Sequence, residues 1–496
     1  MPTPSSDILQ RFARIRRDTP DRPLIHLPLL NCVVTAQALW EQGDHQRRLL
    51  ERAGACAGDL VVYAAGNKPE LFGAWIACRL IGAALLAVDA GTTIPELAAI
   101  AERLGTDHAI LPHTMRAAEL GEASPYMPEL LHVTPRRSST ARHRYEGAAV
   151  LKLTSGSTGL PRATFTTEQQ LVEDTTHITT AMDVGPDDCQ MAAIPLSHAY
   201  GIGNLVVPLL IQGTAIVLRE SFVPHLVVSD AAAYRARVFP GVPFMYEHFK
   251  NHLSPGAWPR CLDRLISAGA RLESSTTRGF HASFGLKIHS FYGTSETGGI
   301  AFDDSADLAE AGRVGRPMPG VSITLRPEEG APVGAGRLLV ASSAVSSGYV
   351  GEEQPDDGFT AEGFLTGDFG RFDAHGQLIL SGRASSFINV AGRKVQPEEV
   401  EAVLREMPGI ADVRVLGMRD AARGEQIVAC IVADGDAPDA LKVRRFCAAR
   451  LAPHKIPRTT ITIDRIPLTE RGKTDRRSLQ QIVDERLRES PGAGVL

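Results

Sequence analysis

Between about residue 58 and residue 300, short apolar runs alternate with segments of helical periodicity, and this alternation constrains the fold most strongly. The runs LVVYAAG, AALLAVDA and HAILP are typical of buried strands, and the segments between them, KPELFGAWIACRLIG and TIPELAAIAERLG, are typical of helices. The same alternation continues further along the chain, where the strand-like runs are QMAAIPL, TAIVL, ARVFPGVP, RLISAGA and KIHSFYG. Strands that alternate with helices form parallel sheets covered by those helices, so the pattern predicts an α/β fold.

The pattern changes near residue 312, where short strands are separated by turns that contain Gly and Pro. VSITLRP, GRLLVASS and QLILSGR indicate a small antiparallel sheet or β-barrel. Beyond Arg383, the helical segments QPEEVEAVLREM and DALKVRRFCAARL accompany the strand-like DVRVLGMRD and EQIVACIVAD. They fit a compact α+β domain. Because 496 residues exceed one compact core, we predict two domains, residues 1–382 and residues 383–496.

Composition excludes several classes of function. The formal net charge is −5 and no basic patch is visible, so we expect no nucleic-acid partner. The longest charge-free stretch, residues 199–218, is interrupted by Asn, Pro, Gln and Gly, which favours a buried helix and strand over a membrane span. The N-terminus lacks the apolar segment of a secretory signal. We therefore expect a soluble cytoplasmic protein whose seven cysteines are small buried thiols.

A run of Ser, Thr and Gly, TSGSTG at residues 154–159, follows the apolar run AAVLKL. Glycines let a backbone fold tightly enough for its N–H groups to point at an anion, and the hydroxyls add donors. The run lacks the Gly-Lys-Ser/Thr of a P-loop NTPase, which disfavours that class. Taken alone, the run fits either a phosphate-binding loop or a plain surface turn.

Five motifs in order resemble those of the adenylate-forming superfamily, which includes acyl-CoA synthetases, the adenylation domains of peptide synthetases and luciferases. They are TSGSTGLPR, FYGTSETG, GFLTGDFGRF, SGRASSFINVAGRKVQPEEVE and PLTERGKTDRRSL. PLSHAYG, GVPFMY and SAGARL match more weakly. The resemblance covers roughly residues 58–480. It implies a large N-terminal domain of two helix-flanked, mainly parallel sheets plus a small β-barrel, and a smaller mobile α+β C-terminal domain.

The resemblance implies that ATP and a carboxylic acid give an acyl-adenylate and pyrophosphate, and that a thiol then takes the acyl group and releases AMP. The residues that would hold the leaving phosphates are Thr154, Ser155, Gly156, Ser157, Thr158 and Gly159. Those that would surround adenine and the α-phosphate are Gly269, Ala270, Arg271, Tyr292, Gly293, Thr294 and Ser295. For Arg271 alone, an ordinary surface arginine fits equally well.

The same resemblance implies a binding or catalytic role for each charged residue of the motifs. Glu296 would bind Mg²⁺, which prefers hard oxygen ligands. Asp368 would accept the ribose hydroxyls, and Arg383 would reach the ribose or a phosphate. Lys473, from the C-terminal domain, would bridge the substrate carboxylate and the α-phosphate and neutralise charge as the anhydride forms. We predict Lys473, Glu296, Thr158 and His198 as the catalytic residues.

Two assignments keep an alternative at this point. His198 stands where the family often places a residue at the mouth of the acyl pocket, but it also fits a satisfied structural histidine. Gly392 and Arg393 are candidates for the thiol passage, but they also fit an ordinary β-turn. The chain departs from the family at Arg162, where Lys is usual, so that a forked cation replaces a point charge.

The acid and its acceptor are constrained less tightly. Amino-acid-activating relatives carry an aspartate in an F-D-x-S motif, whereas the matching stretch here is PLSHAYG. Burial of an unpaired ammonium is costly, so a fatty or aromatic acid is favoured over an α-amino acid. We expect CoA as the acceptor. The alternatives are an acyl carrier protein, loaded on its phosphopantetheine in trans, and a non-catalytic nucleotide-binding module.

Overall fold

The structure is a computed structural model, and the parts of the 496-residue chain that it describes divide into two compact units. The described residues are 6–89, 91–112, 122–124, 130–134, 144–154, 162–308, 310–328, 331–350, 358–383, 388–390, 393–395, 397–420, 424–451, 453–469 and 474–489. The first unit comprises Met1–Ser322 and Val340–Phe364, and the second comprises Ile323–Leu339 and Leu365–Leu496. The predicted boundary at residue 382 stays a prediction.

The first sheet of the first unit is mainly parallel. In spatial order its strands are β16 (Arg313–Pro317), β15 (Gly298–Phe302), β14 (Ile288–Thr294), β13 (Arg264–Ser267), β12 (Val238–Gly241), β10 (Cys189–Ala192), β11 (Ala215–Leu218), β1 (Pro23–Leu27) and β2 (Cys32–Thr35). The strands from β14 to β1 pair in parallel, and the strands at both ends pair antiparallel. All five strands predicted from the second run of alternation lie in this sheet.

The second sheet of this unit has a parallel centre and antiparallel edges. In spatial order its strands are β19 (Tyr349–Val350), β9 (Arg162–Thr167), β8 (Ala148–Thr154), β4 (Ala84–Ala87), β3 (Leu60–Tyr63), β5 (His108–Pro112), β7 (Leu130–Thr134) and β6 (Glu122–Ser124). The central strands from β8 to β5 are parallel to one another. The prediction of two mainly parallel sheets in one large unit is confirmed.

Helices of the first unit pack on these sheets and bury their apolar faces. They are α1 (Asp7–Asp18), α2 (Ala36–Arg52), α3 (Pro69–Ile81), α4 (Ile94–Leu104), α5 (Glu168–Met182), α6 (Ala199–Gly201), α7 (Val207–Gln212), α8 (Pro224–Tyr234), α9 (Pro243–His252) and α10 (Ser274–Phe284). A π-helical turn, Ile202–Val206, joins α6 to α7, and short 3₁₀ turns lie at Pro28–Leu30 and Pro255–Ala257. The charge-free stretch is thus a buried helix that leads into β11, as predicted.

The second unit contains two small sheets. Most residues of strands β17 (Ser322–Arg326), β18 (Gly336–Ala341), β21 (Gly363–Phe372) and β22 (Leu378–Arg383), which are neighbours in that order, belong to this unit. The start of β21 belongs to the first unit and pairs there with β20 (Phe359–Thr360). The other sheet has the order β24 (Arg393–Val395), β23 (Ile388–Val390), β26 (Gly424–Ala433) and β25 (Ile410–Asp420), with β27 (Thr459–Thr462) against β26. Its helices are α11 (Pro397–Arg405), α12 (Ala440–Ala448) and α13 (Arg476–Glu489), and a 3₁₀ turn lies at Pro453–Lys455.

The prediction of buried thiols is right for some cysteines and wrong for others. Cys78, Cys430 and Cys447 are buried, whereas Cys32 and Cys56 are exposed. Cys32 lies on the edge strand β2, and Cys56 lies in the turn after α2, so neither residue has a layer to cover it. None of the helices in the described part of the chain is long and apolar enough to cross a membrane.

Candidate active site

Three predicted site segments meet at one edge of the first sheet. His198 follows β10, residues 269–271 follow β13, and Glu296 follows β14. These strands are parallel, so their carboxyl ends lie on the same side of the sheet. In open α/β sheets, ligands bind at this edge. The fold therefore brings together residues that are about 100 positions apart in the chain.

Polar residues of the second sheet hold the segment that carries His198. Asn67 follows β3, and its side-chain amide donates to the carbonyl of Ile194 (2.9 Å) and accepts from the N–H of Leu196 (2.9 Å). Asp89 follows β4, and its Oδ1 lies 2.8 Å from both Ser197 Oγ and His198 Nε2. The carboxyl ends of the two sheets are thus joined side by side. Asn67 and Asp89 were not predicted from the sequence, although a polar residue shortly after a buried strand is the signal that could have indicated them.

The FYGTSETG motif forms the end of β14 and the tight turn into β15. A Cβ at Gly293 would lie 2.5 Å from the carbonyl oxygen of Gly298, so only glycine allows the two strands to approach this closely. Thr294 Oγ1 lies 3.1 Å from Thr297 Oγ1 and accepts from its N–H (3.3 Å). Tyr292 is buried at the base of the turn. The turn presents Ser295 and Glu296, both half-buried, at the edge of the sheet.

The predicted phosphate loop begins and ends within a β-hairpin. Thr154, the last residue of β8, pairs with Arg162, the first of β9, and its hydroxyl donates to the Arg162 carbonyl (3.3 Å). Ser295 Oγ lies 3.5 Å from the carbonyl oxygen of Leu153, so the turn after β14 lies beside the entrance of the loop. The remaining predicted residues of the loop lie outside the described residues; they are Ser155, Gly156, Ser157, Thr158 and Gly159.

Two buried residues of opposite charge lie at this hairpin and on the helix that follows it, and neither was predicted from the sequence. Lys152 on β8 and Asp174 on α5 are 3% and 5% exposed. Burial lowers the pKa of Lys152, while Asp174 and Glu296 act to raise it. Burial raises the pKa of Asp174, and Lys152 and the N–H of Gly299 (2.8 Å) act to lower it. The hydrogen bond from Gly299 N–H to Asp174 therefore links β15 to α5, directly after the turn that carries Glu296.

The residues expected on the far side of the adenine site are exposed. Gly269 has a φ of +81°, which favours glycine at the turn after β13. Gly269, Ala270 and Arg271 are all exposed. Arg271 donates to the carbonyl of Ala311 (3.1 Å), and its Nε lies 3.9 Å from Glu273. The role of Arg271 at the adenine site stays a prediction.

The second unit holds the predicted ribose ligands. Asp368 on β21 and Arg383 on β22 face each other across the antiparallel pair, with Arg383 Nε 2.5 Å from Asp368 Oδ1. Asp368 is 5% exposed, whereas the side chain of Arg383 is 58% exposed. Lys473 and Gly392 lie outside the described residues. Arg393 begins β24, and its side chain is likewise outside them.

The donor set around Glu296 fits a magnesium ion that arrives with a nucleotide. Mg²⁺ in such sites is held by one or two carboxylates together with substrate phosphates. The Glu296 carboxylate lies in the turn beside the loop entrance, and the hydroxyls of Thr294 and Ser295 are adjacent in the chain. Hydroxyl and carboxylate oxygens are the hard ligands that this ion takes.

Comparisons with known proteins agree with this arrangement. The family model "AMP-binding enzyme" matches residues 12–350, and "AMP-binding enzyme C-terminal domain" matches residues 399–473. A feruloyl-CoA synthase of Amycolatopsis sp. is 29% identical over 446 residues, which covers 86% of this chain and 89% of that protein. A sulfoacetate–CoA ligase of Cupriavidus necator is 30% identical over 67% of both chains.

Solved structures share the fold. ATP-bound MatB from Rhodopseudomonas palustris superposes with a TM-score of 0.82 at 24% identity, over 97% of this chain and 99% of MatB. The o-succinylbenzoate CoA synthetase MenE from Bacillus subtilis, in complex with its acyl-adenylate, gives 0.78 at 21% identity, over 95% and 97%.

The paired sheets and the motif residues at their carboxyl edge define an AMP-binding enzyme of the adenylate-forming type. The chain belongs to the AMP-binding enzyme family, since that model covers more than half of it. The prediction of an acid–thiol ligase that works through an acyl-adenylate is confirmed by this membership.

Proposed function

We propose that this protein is a carboxylate–CoA ligase that activates an aromatic acid with ATP and Mg²⁺. The observation that carries the proposal is the meeting of His198 and Glu296 at the carboxyl edge of one sheet, with the entrance of the TSGSTG loop beside Glu296. In the first step a carboxylate oxygen attacks the α-phosphorus and pyrophosphate leaves. In the second step a thiolate attacks the carbonyl carbon, the bond to AMP breaks, and a thioester forms.

The residues would act mainly by managing charge at the α-phosphate. The hydroxyls and N–H groups of residues 154–159 would hold the leaving pyrophosphate, and Glu296 would hold the Mg²⁺ that neutralises it. Asp368 would accept the ribose hydroxyls, with Arg383 fixing its carboxylate through their 2.5 Å contact. Lys473 would bridge the acid and the α-phosphate in the first step. Arg393 and Gly392 would lie along the path of the thiol.

Aromatic side chains near the carboxyl edge favour an aromatic acid. Tyr200 and Phe222 follow β10 and β11, and Phe244 follows β12. The rings of Tyr200 and Phe291 are 5.5 Å apart, and those of Phe222 and Phe244 are 5.7 Å apart in an edge-to-face contact. Ring edges and faces of this kind pack favourably against another ring. The name of the feruloyl-CoA synthase, which matches 86% of this chain, points the same way.

The experiment that tests the proposal measures AMP release with a panel of aromatic and fatty acids, with CoA present and absent. We expect thioester and AMP with an aromatic acid and CoA. Adenylate that forms without transfer to CoA would instead indicate a carrier protein as acceptor. No turnover with any acid would overturn the proposal in favour of a non-catalytic nucleotide-binding module. Lys473→Ala should abolish adenylate formation and leave ATP binding intact, and retained activity would contradict the role of Lys473.

A further inference from the structure

Three side chains contact one another in a row. They lead from Arg162, which follows the predicted phosphate loop, to Glu296 in the turn between β14 and β15. The guanidinium carbon of Arg162, the first residue of β9, lies 4.0 Å from the centroid of the Tyr349 ring. The Tyr349 hydroxyl donates to Glu296 Oε1 at 2.5 Å. A cation, an aromatic ring and a carboxylate thus follow one another, and none of the motifs of the sequence analysis includes Tyr349.

The backbone on both sides of Tyr349 is fixed. In the pairing of β19 with β9, the N–H of Phe165 donates to the carbonyl of Gly348 (2.8 Å), and Ser347 N–H donates to the carbonyl of Phe165 (2.9 Å). Ser346 N–H donates to the backbone carbonyl of Glu296 (2.7 Å). Residues 346–349 therefore bind the loop exit on one side and Glu296 on the other.

The ring itself is also held in place. Phe359 meets the Tyr349 ring edge-to-face, with centroids 5.3 Å apart. With Arg162 against the ring as well, the hydroxyl is aimed at one oxygen of Glu296. A carboxylate offers about four lone-pair sites, so one accepted hydrogen bond leaves it able to bind a hard cation.

We propose that Tyr349 is a positioning residue that orients the Glu296 carboxylate for Mg²⁺ and that Arg162 couples it to the phosphate loop. This inference rests on the proposed function. It also accounts for Arg162, where relatives usually carry lysine: a planar guanidinium stacks on a tyrosine ring and a compact ammonium does so less well.

The first experiment is Tyr349→Phe in the full chain, which removes the hydroxyl and keeps the ring. We expect the affinity for ATP in the presence of Mg²⁺, measured by calorimetry, to fall about threefold to tenfold, the range of one hydrogen bond to a charged group. The affinity for AMP in EDTA should not change, because AMP lacks the phosphates that bring the ion. Equal losses for both nucleotides, or no loss for either, would overturn the inference.

Two further variants sharpen the result. Tyr145→Phe is the matched control, because the Tyr145 hydroxyl bonds to the carbonyl of Leu104 away from Glu296, and it should leave both affinities unchanged. Arg162→Lys should weaken Mg²⁺–ATP binding less in the Tyr349→Phe background than in the wild type, whereas additive losses would contradict the coupling.

Failure of this inference is distinguishable from failure of the proposed function. If Glu296→Gln weakens Mg²⁺–ATP binding and Tyr349→Phe does not, only the role of Tyr349 is wrong. If the wild-type protein binds no ATP, both are wrong.

Discussion

Asp89 illustrates how a side chain that follows a strand of one sheet contacts a site segment that follows a strand of the other. Its Oδ1 lies 2.8 Å from both Ser197 Oγ and His198 Nε2. A carboxylate forms stronger hydrogen bonds than a neutral amide of the same size. Asp89 therefore holds Ser197 by a hydrogen bond and places its carboxylate next to His198, at the edge where we propose that the acid binds.

We predict that Asp89→Asn lowers kcat/KM for the acid about fivefold, because a charged acceptor is worth roughly 1 kcal/mol more than a neutral one. The affinity for ATP should not change. Steady-state kinetics with each substrate varied in turn measures both. Asp188→Asn is the control, since Asp188 pairs with Arg237 (2.5 Å) just before β10, at the opposite edge of the sheet. An equal loss in both variants would contradict a specific role for Asp89.

The Lys152–Asp174 pair makes a prediction about pH. Lys152→Met should destabilise the protein, because it removes a cation that acts to lower the pKa of a buried carboxylate. Burial already raises the pKa of Asp174 above 3.8, and loss of the cation raises it further. A carboxyl whose pKa is higher in the folded state contributes stability at low pH and loses it as pH rises through that folded pKa. The variant should therefore lose more stability at pH 8 than at pH 5.

Urea unfolding at the two pH values measures this difference. Asp174→Asn in the Lys152→Met background should remove most of the pH dependence, because no titratable carboxyl then remains at position 174. If the single variant loses the same free energy of unfolding at both pH values, Asp174 is not the group that titrates.

At this scale the sequence predicted residues that lie within contiguous motifs and missed those that act through distant partners. Thr154, Tyr292 and Glu296 could be proposed from the sequence because each motif is local, and their roles stay predictions. Asn67 and Asp89 were missed because their partners are more than 100 residues away, and only the packing of one sheet beside the other brings them together.

At the scale of the elements, the backbone of the turn between β14 and β15 is tightly constrained at Gly298. Gly298 has a φ of +70°, and a Cβ there would lie 2.2 Å from Asp174 Oδ1. The turn therefore combines a left-handed backbone with the close approach of a buried carboxylate, directly after Glu296.

We predict that Gly298→Ala destabilises the protein by about 2–4 kcal/mol, from the strained φ and the steric clash together. The Mg²⁺ dependence of ATP binding should weaken as well, because the shift of the turn moves Glu296. Gly256→Ala is the control: a Cβ at Gly256 meets no atom within 4 Å. Denaturant unfolding measures the stability, and similar curves for the two variants would show that the turn tolerates a side chain.

The elements themselves were largely predictable. Largely apolar runs of five to eight residues between turn signals predicted β3, β4, β5 and β10 to β14, because strands buried on both faces have near-continuous apolar sequences. The β1–β2 hairpin and the pairing of β19 with β9 were not predicted. A two-residue strand such as β19 has no periodicity, and its partner is fixed only by tertiary contacts.

For the whole molecule, the division into two units has a thermodynamic consequence. Each unit has its own buried cluster, that of the second including Val400 and Leu404 of α11. Separate cores commonly unfold as separate cooperative transitions. Chain length and the change of pattern led to the prediction of two domains, and the predicted boundary stays a prediction because it depends on contacts that no local pattern records.

We predict that Leu404→Ala, at a fully buried position, lowers the stability of the second unit by about 2–5 kcal/mol. Differential scanning calorimetry of the full chain should show one transition shifted to lower temperature and the other unchanged. Leu441→Ala is the control, because Leu441 on α12 is 46% exposed and its loss leaves no cavity. A single transition that shifts as a whole would show that the two units unfold together.

The exposed cysteines of this protein affect any assay that follows the consumption of CoA with a thiol reagent. Burial raises the pKa of Cys78, Cys189 and Cys430 to about 12, so these thiols stay protonated and unreactive towards disulfide reagents. Cys32 and Cys56 are exposed, both in the first unit. A chromogenic disulfide added to follow the disappearance of CoA will therefore also count these two protein thiols. The Cys32→Ser, Cys56→Ser double variant would give a clean baseline, and the same two positions offer sites for attaching a fluorophore to the first unit.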